Sequence, residues 1–600
     1  MDRKSIIILI VCFILLMLWV PLVNRVFPPV HVATPTNAPA RAQTNLAAEG
    51  AATNGVTTPV ISEPTLPAPS WIRPSAPEEL VTLENKVVRY VFTSHGGGLK
   101  LVELRRYPDT VGRVKRTTAT TNRFATLNQW APVPALALFG GSTLEDSTPF
   151  QLMKTDTGLR AEKDLTNGLR LVKDFRLGTN YSLAATIRIE NRSRQAVNLP
   201  VRELVVGTAT PINRDEISRF LGVQWYDGES PQFVDTSWFD NRSFAGCLGC
   251  VPAAPRTQYD SPGMSNVVWV ATHSQFFTMI AAPETNGLRL VARRVDLPPP
   301  TAQERAEDPR AVARPSGIEA AIVYPPVTLP PGQAIESRLD LFAGPKEYNT
   351  LAKLPKNQDL AMNFSKFFGW FAKALLLSMN GLHHTLHFSY GLCIIAITII
   401  IKLLFWPLTQ ASTRSMRRMQ ALQPQMKEIQ QKYKDDPRKM NQKVMEFYKE
   451  NKVNPLGGCL PMIFQIPVFI GFYQMLQSAI ELRGESFLWA YDLSQPDTVA
   501  VIYGFPINPL PLLMGASQFW QARMTPASPS ADPMQQKMLQ YMPLIFVFML
   551  YNFASGLALY WMVQNLLSIL QMKLTKANLV PHGAPAAATA ARPTPAKRKR

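Results

Sequence analysis

Acidic residues are scarce in this 600-residue chain, which has 43 Asp and Glu against 62 Lys and Arg. The long apolar runs contain neither Asp nor Glu, so the membrane carboxylates expected of a proton-coupled transporter are missing. No Walker-type Gly-x-x-x-x-Gly-Lys or Gly-x-Ser-x-Gly motif occurs, and the seven histidines form no metal-spaced cluster. These absences argue against enzyme chemistry, a metal site and a bound cofactor.

Cysteine is also scarce, and five cysteines are too few for a disulfide scaffold. Cys247 and Cys250 form a single C-x-x-C pair in the soluble part of the chain. One such pair cannot complete a tetrahedral zinc site, and no thioredoxin-like βαβ pattern surrounds it. The spacing therefore favours a local disulfide over redox catalysis, and the oxidation state stays open.

Long apolar runs predict six membrane spans. The first lies within residues 1–24, where Arg3 and Lys4 precede the run and no small-x-small cleavage site follows it directly, which favours an uncleaved anchor over a signal peptide. The other spans are predicted at 390–408, 456–480, 506–520, 541–553 and 557–571.

The region between the first two predicted spans has a different composition. Residues 25–60 are rich in Pro, Ala and Thr, which predicts a disordered tether. Short alternating runs separated by turn signals fill residues 61–345 and predict a large all-β sandwich domain. Aromatic residues at helical spacing then predict an amphipathic interfacial helix over 358–380.

Basic residues concentrate between spans and at the tail, as the positive-inside rule expects of cytoplasmic segments. The net charge of +19 therefore indicates topology rather than a nucleic-acid-binding domain. Both termini are predicted to be cytoplasmic and the β domain to lie outside the cytoplasm. Residues 410–453 should form a cytoplasmic two-helix hairpin, because a heptad-like apolar pattern is interrupted at Asp435-Asp436-Pro437. Residues 576–600 form a basic tail.

Lys402 is the only charge in the second predicted span. A lysine near the middle of a lipid-facing helix costs at least ~2.5–3.5 kcal/mol, so such a residue normally faces water, a cavity or a partner. Thr398 and Thr409 lie at i−4 and i+7, on the same helix face. The alternative is that the Lys402 side chain snorkels to the headgroups.

The sixth predicted span adds a second polar face, consisting of Trp561, Gln564, Asn565 and Ser568. The third span contributes Gln465. Helix–helix contacts usually require only one or two such groups. A lysine with two polar helix faces and no carboxylate therefore predicts a hydrated groove that receives a polar substrate.

Several motifs of the membrane region closely resemble the YidC/Oxa/Alb family of membrane protein insertases. They are Asn454-Pro455-Leu456-Gly457-Gly458-Cys459-Leu460-Pro461, Gln465-Ile466-Pro467-Val468-Phe469, Pro407-Leu408-Thr409, Asp532-Pro533-Met534-Gln535-Gln536-Lys537 and Ser555-Gly556-Leu557-Ala558-Leu559-Tyr560. The resemblance covers roughly residues 360–575, and the N-terminal span with a large outer domain is the layout of the Gram-negative form.

The resemblance implies a five-helix insertase core over 388–575 and an extracytoplasmic β-super-sandwich in the bacterial inner membrane. It also implies a cytosol-open groove that receives nascent membrane proteins, alone or with the Sec translocon. Lys402 stands where the family usually has arginine, and Trp561 replaces a tyrosine. The groove residues implied are Lys402, Thr398, Gln465, Ile466, Phe469, Tyr560, Trp561, Gln564 and Asn565.

The basic cytoplasmic surface is expected to contact ribosomes or anionic phospholipids, although a solvated connector would carry the same charges. The alternative function for the whole chain is a polytopic transporter or an envelope-modifying enzyme that uses the outer domain. The expected contact residues are Arg417, Arg418, Lys427, Lys434, Asp435, Asp436, Lys597, Arg598, Lys599 and Arg600.

Overall fold

The structure, a computed structural model, describes residues 71–111, 123–213, 216, 220–241, 254–307, 311–365, 367–451, 460–524 and 533–577. The predicted first span, the tether, the Cys247–Cys250 pair and the basic tail lie outside these residues. The described chain separates into a β unit up to Asn363 and a helical unit that comprises 364–477 and 481–577.

The β unit contains twenty strands among its described residues. In chain order they are β1 (Leu80–Glu84), β2 (Val88–Thr93), β3 (Gly98–Pro108), β4 (Phe124–Leu127), β5 (Leu138–Phe139), β6 (Gln151–Thr155), β7 (Gly158–Asp164), β8 (Leu169–Leu177), β9 (Ser182–Asn191), β10 (Val197–Leu199), β11 (Arg202–Ala209), β12 (Gly222–Tyr226), β13 (Pro231–Asp235), β14 (Gln258–Asp260), β15 (Trp269–His273), β16 (Phe277–Pro283), β17 (Arg289–Asp296), β18 (Ser316–Tyr324), β19 (Val327–Leu329) and β20 (Ala334–Pro345). Short helices are α1 (Thr236–Asp240), α2 (Ala302–Glu307) and α3 (Tyr348–Leu351).

Two large antiparallel sheets form most of this unit. One has the order β13-β12-β15-β16-β20-β9-β8-β7-β6, and the other has the order β14-β17-β18-β11-β5. Strands β11 and β18 of the smaller sheet contact β15 of the larger one, so the sheets pack face to face. The alternation that predicted strands is visible in β9, where Leu183, Ala185, Ile187 and Ile189 are buried and Arg188 is exposed. Smaller sheets pair β1-β2-β3-β4 and β10-β19.

The helical unit contains nine helices and one short hairpin among its described residues. The helices are α4 (Gly369–Leu386), α5 (Tyr390–Leu404), α6 (Trp406–Ala421), α7 (Gln423–Lys432), α8 (Pro437–Glu450), α9 (Leu460–Ser478), α10 (Pro509–Met524), α11 (Pro533–Leu550) and α12 (Ser555–Ala577). Strands β21 (Ala500–Ile502) and β22 (Phe505–Ile507) form the hairpin between α9 and α10.

No helix of the described residues is by itself both long and apolar enough to qualify as a span. Helices α4 and α5 meet that requirement only as a pair, bent by 118° relative to each other, and Tyr541–Leu550 is a shorter apolar segment.

The helix predicted over 358–380 begins later than expected. Residues Gln358–Met362 form a 3₁₀ turn that ends at Asn363 in the left-handed conformation (φ 54°), and the α-helix starts at Gly369. A left-handed residue ends a helix, which the aromatic spacing alone does not reveal. Phe367 consequently lies outside the helix and is 83% exposed.

The predicted second span is likewise divided, because α5 ends at Leu404 and α6 begins at Trp406. Pro407 lies in the first turn of α6, where its missing N–H is tolerated, whereas it would disrupt the interior of a continuous helix. Helices α7 and α8 pack against each other as a hairpin around Met426 and Tyr448. Asp436 caps α8 by accepting a hydrogen bond from the Lys439 amide.

The smaller sheet of the β unit buries a charged cluster. The Arg293 guanidinium donates two hydrogen bonds to the Glu203 carboxylate, at 2.6 and 2.8 Å, and one to Gln258 at 2.9 Å. Glu319, also buried, lies 4.0 Å from the same guanidinium. Because Arg293 already has its bidentate partner, burial dominates for Glu319 and raises the pKa of its carboxyl to about 7.

This raised pKa predicts that the β unit loses stability as pH rises. The Glu319 carboxyl stays protonated in the fold up to about pH 7, whereas its ordinary pKa is 4.5, so stability falls between these values. Glu319→Gln mimics the protonated form and should increase the protection of β17 and β18 amides on the order of tenfold at pH 8. Hydrogen exchange of the full-length protein, followed by mass spectrometry, measures this.

At pH 4 the same substitution should change protection little. Glu203→Gln is the matched control, and it should reduce protection at pH 8 because it leaves Arg293 without its bidentate partner. Equal protection of Glu319→Gln and the wild type at pH 8 would contradict the prediction.

Candidate functional site

Lys402 lies in the last turn of α5, and its side chain is buried, with 6% of the residue exposed. Its ammonium donates a hydrogen bond of 2.7 Å to the hydroxyl of Ser568 on α12. Helices α5, α9 and α12 contain no Asp or Glu. The lysine is therefore held by a neutral hydroxyl inside the helical unit rather than extended to its surface.

Two glutamines and a tyrosine continue this polar contact across three helices. The Ser568 hydroxyl donates to the main-chain carbonyl of Gln564 at 2.8 Å, and the Gln564 side-chain amide donates to the Gln465 side-chain oxygen at 3.0 Å. Gln465 in turn donates to the Tyr560 hydroxyl at 2.7 Å. Side-chain hydrogen bonds therefore join α5 to α12 and α12 to α9, and they satisfy groups that would be costly to bury alone.

A narrow cleft of about 10 Å³ lies beside these polar groups. Its polar lining comes from Lys402, Thr409, Gln465 and Gln564, and its apolar lining comes from Ile401, Phe405, Leu408 and Phe464. Amides, a hydroxyl and an ammonium can together bind a polar or acidic group, but they contain no nucleophile–base pair.

Gln571 was not among the predicted groove residues, yet it extends the polar contact. Its amide donates to the Trp406 carbonyl at 3.2 Å and to the Thr409 hydroxyl, which joins α12 to the start of α6. Gln571 follows Ser568 by three residues, so helical spacing places it on the same polar face of the sixth predicted span and could have identified it. Ser568 belonged to that face but was likewise not included among the groove residues.

Lys402, Gln465 and Gln564 are the predicted groove residues that line the cleft, whereas Asn565 and Thr398 make their contacts away from it. Asn565 is buried and donates to the Ser517 hydroxyl at 3.1 Å, so it connects α12 to α10. Thr398 is 1% exposed, and its hydroxyl donates to the Ile394 carbonyl of its own helix at 2.6 Å. Neither side chain lines the cleft. Helical spacing places both residues on polar helix faces, but it does not specify which neighbour each side chain contacts.

Aromatic rings form a separate surface on α9 and α12. Phe469 meets Trp561 edge to face with centroids 4.7 Å apart, and Phe546 lies 5.1 Å from the same indole. Ile466 is 51% exposed. Tyr560 points inward and stacks on Phe472, with ring centroids 4.1 Å apart. Its hydroxyl accepts the hydrogen bond from Gln465, so the replacement of a tyrosine by Trp561 does not remove this bond.

The predicted basic contact residues of α6 and α7 lie mostly at the surface. Arg418, Lys427 and Lys434 are exposed, and Arg417 is half-buried. Asp435 is exposed, whereas Asp436 has the structural role of capping α8. Lys597, Arg598, Lys599 and Arg600 lie outside the described residues.

Sequence comparisons with known proteins assign this chain to a family. Residues 80–377 match the model of the YidC periplasmic domain, and residues 381–581 match that of the 60Kd inner membrane protein. A membrane protein insertase YidC from Syntrophus aciditrophicus is 33% identical over 500 residues, which cover 82% of this chain and 84% of the relative. The relative of the same name from Pelobacter propionicus is 47% identical over 259 residues, covering 42% of this chain and 46% of the relative.

A crystal structure of an active YidC insertase with its first transmembrane domain resolved also matches. It has 18% sequence identity and a TM-score of 0.33, and the match covers 85% of this chain and 96% of that one. The sequence matches place the chain among inner membrane proteins with a periplasmic domain. The chain belongs to the YidC family of membrane protein insertases.

Proposed function

We propose that the cleft beside Lys402 is the place where this insertase receives the polar part of a nascent membrane protein. The observation that carries the proposal is the buried Lys402 ammonium, which has a hydroxyl and no carboxylate as its partner. An acidic or polar substrate group would supply the counter-charge that the described part of the chain does not place beside Lys402. Unsatisfied polar groups cost several kcal/mol each in hydrocarbon, so a polar path of this kind lowers the barrier to transfer.

The position of the cleft supports a cytosol-open groove. Lys402 is in the last turn of α5, and Leu408 and Thr409 of the lining are in the first turn of α6. Helix α6 then leads into the basic hairpin of α7 and α8, which the positive-inside rule assigns to the cytoplasm. We propose six spans, both termini in the cytoplasm, and insertion alone or with the Sec translocon. The face-to-face sheets of the periplasmic domain are proposed to form its β-super-sandwich.

The aromatic surface on α9 and α12 is proposed to guide the apolar part of the substrate into lipid. Ile466 is half-exposed beside Phe469 and Trp561, so an apolar segment leaving the cleft would meet these side chains before lipid. The proposal therefore assigns the polar tail to Gln465 and Gln564 and the apolar segment to this neighbouring surface.

Photocrosslinking tests this assignment directly. Benzoylphenylalanine in place of Ile466 should crosslink to a stalled nascent membrane protein, because this position borders the proposed exit path. The matched control is Leu403→benzoylphenylalanine, since Leu403 is 60% exposed and adjoins Lys402 in sequence but points away from the cleft. Equal crosslinking at both positions would contradict a defined substrate path.

A charge requirement at Lys402 gives a second prediction. Lys402→Arg should insert substrates normally, since the charge and approximate length are kept. Lys402→Ala should reduce insertion of substrates with acidic tails on the order of tenfold while sparing those with neutral tails, because one charge-assisted hydrogen bond to the tail is removed. An insertion assay with tails of graded charge, at matched protein levels, measures this.

Lys573→Ala is the control for removal of a positive charge outside the cleft, because the Lys573 ammonium lies over the Trp520 ring instead. It should insert all substrates as the wild type does. Equal insertion of every tail by Lys402→Ala would instead indicate a lysine without a role in substrate capture.

The basic hairpin is proposed to contact ribosomal RNA, with anionic phospholipids as the competing surface. Replacing Arg418, Lys427 and Lys434 by glutamine should weaken co-sedimentation with ribosomes. The slope of the logarithm of the binding constant against the logarithm of the salt concentration should become shallower by roughly 0.7–0.9 for each phosphate that is no longer neutralised. Lys443→Gln is the control, because Lys443 is already paired at 2.6 Å with Glu446, three residues later in the same helix, α8. Unchanged binding of the triple variant across the salt series would contradict the contact.

A further inference from the structure

The β21–β22 hairpin presents large apolar side chains at its tip. Tyr503 and Gly504 form the turn with positive φ values of 49° and 79°, which is the backbone of a two-residue type I′ hairpin. Val501 is 65% exposed, Phe505 is 57% exposed, and Tyr503 is fully exposed. Soluble surfaces rarely concentrate such residues at one point, so the tip requires an explanation.

The hairpin is attached firmly to the helices. The Tyr551 hydroxyl donates to the Pro506 carbonyl at 2.7 Å, and the Tyr551 carbonyl accepts from the buried Asn508 side chain at 2.8 Å. The Phe505 ring also stacks on Tyr551 at 5.2 Å. The tip is therefore held in its exposed position by contacts at the base of the hairpin.

The segment that carries the hairpin covers one end of the helix cluster. The Ser555 hydroxyl, at the start of α12, donates to the Asp492 carbonyl at 3.0 Å. Asp497 accepts from the Leu510 amide of α10 at 2.6 Å. The start of α5 is equally close, since a side chain added at Gly391 would collide with Phe487. This end of α5 is opposite the one that continues into the basic hairpin.

The composition of residues 484–522 indicates which kind of surface the hairpin tip contacts. Residues 484–522 contain neither Lys nor Arg, and Asp492 and Asp497 are buried. Anionic headgroups therefore have no partner here. Tyrosine combined with aliphatic side chains is typical of the boundary between headgroups and acyl chains. Helix α10 begins two residues after β22, and the half-exposed Leu512 and Leu513 continue the apolar surface along it.

We propose that the β21–β22 tip inserts into the headgroup–acyl boundary of the bilayer, at the end of the helices opposite the basic hairpin. The ligand is neutral phospholipid, bound through Val501, Ile502, Tyr503 and Phe505. Since Tyr551 and Asn508 connect the hairpin to α10 and α11, the inserted tip fixes the depth of these helices in the membrane. Interfacial amphipathic helices bury their apolar faces by ~5–10 Å at this boundary, and we expect the tip to reach a comparable depth.

The test measures the depth of the tip in the full-length protein. A fluorescent amino acid is incorporated at Tyr503, and the protein is reconstituted into vesicles of phosphatidylcholine and phosphatidylethanolamine. Quenching by lipids with a nitroxide near the headgroup end of the acyl chain is compared with quenching by aqueous iodide. The matched control carries the same fluorophore at Gln495, an exposed position of the same segment.

The fluorophore at position 503 should be quenched severalfold more by the nitroxide lipid than the one at 495, and severalfold less by iodide. Adding phosphatidylglycerol should not change this ratio, because the segment has no basic residue. Iodide quenching at 503 equal to that at 495 would overturn the proposal in favour of a water-exposed tip. Protection of position 503 from both quenchers would overturn it in favour of a protein contact, either with a second copy or with another subunit.

Discussion

A lysine buried among apolar helices without a carboxylate is the constraint on which the helical unit depends. The Lys402 ammonium needs at least one strong acceptor, and the Ser568 hydroxyl supplies it from another helix. That serine is positioned by α12, whose Gln564 reaches Gln465 on α9. Moving any of these helices away would leave a charge or an amide unpaired in a low-dielectric environment. The cleft is therefore a consequence of how the three helices satisfy their polar groups.

The two units of the chain bury charge in different ways. The periplasmic domain pairs Arg293 with Glu203 through two short hydrogen bonds, and it accommodates the additional Glu319 as a protonated acid. The helical unit surrounds Lys402 with neutral groups instead. A complete internal ion pair is closed to other ligands, whereas a cation with a weak neutral partner can still bind an anion. This difference fits a structural role for the first cluster and the substrate-binding role proposed for the second.

Helix boundaries show where prediction from patterns fails. Aromatic spacing continued through residues 358–380, but the left-handed Asn363 ends the 3₁₀ turn before α4 begins. The β21–β22 hairpin was not predicted, because three-residue strands are too short for alternation to identify. Gln564 and Asn565 are adjacent on one polar face, yet one lines the cleft and the other bonds to Ser517. Adjacent residues on a helix point about 100° apart, so they meet different neighbours.

Residue patterns alone are enough to place a single lysine in the apolar run 390–408, a polar face with Gln564 and Ser568 in a later run, and a basic segment between the runs. Charge and periodicity are local properties of the chain. Residue patterns also indicate the β-rich composition of the outer region. The fold was needed to show that Ser568 binds Lys402, that Gln571 bonds to Thr409 beside them, and that Asn565 faces α10. Those pairings join residues up to 166 positions apart. They depend on how the helices are rotated and packed, which the spacing within one helix does not contain.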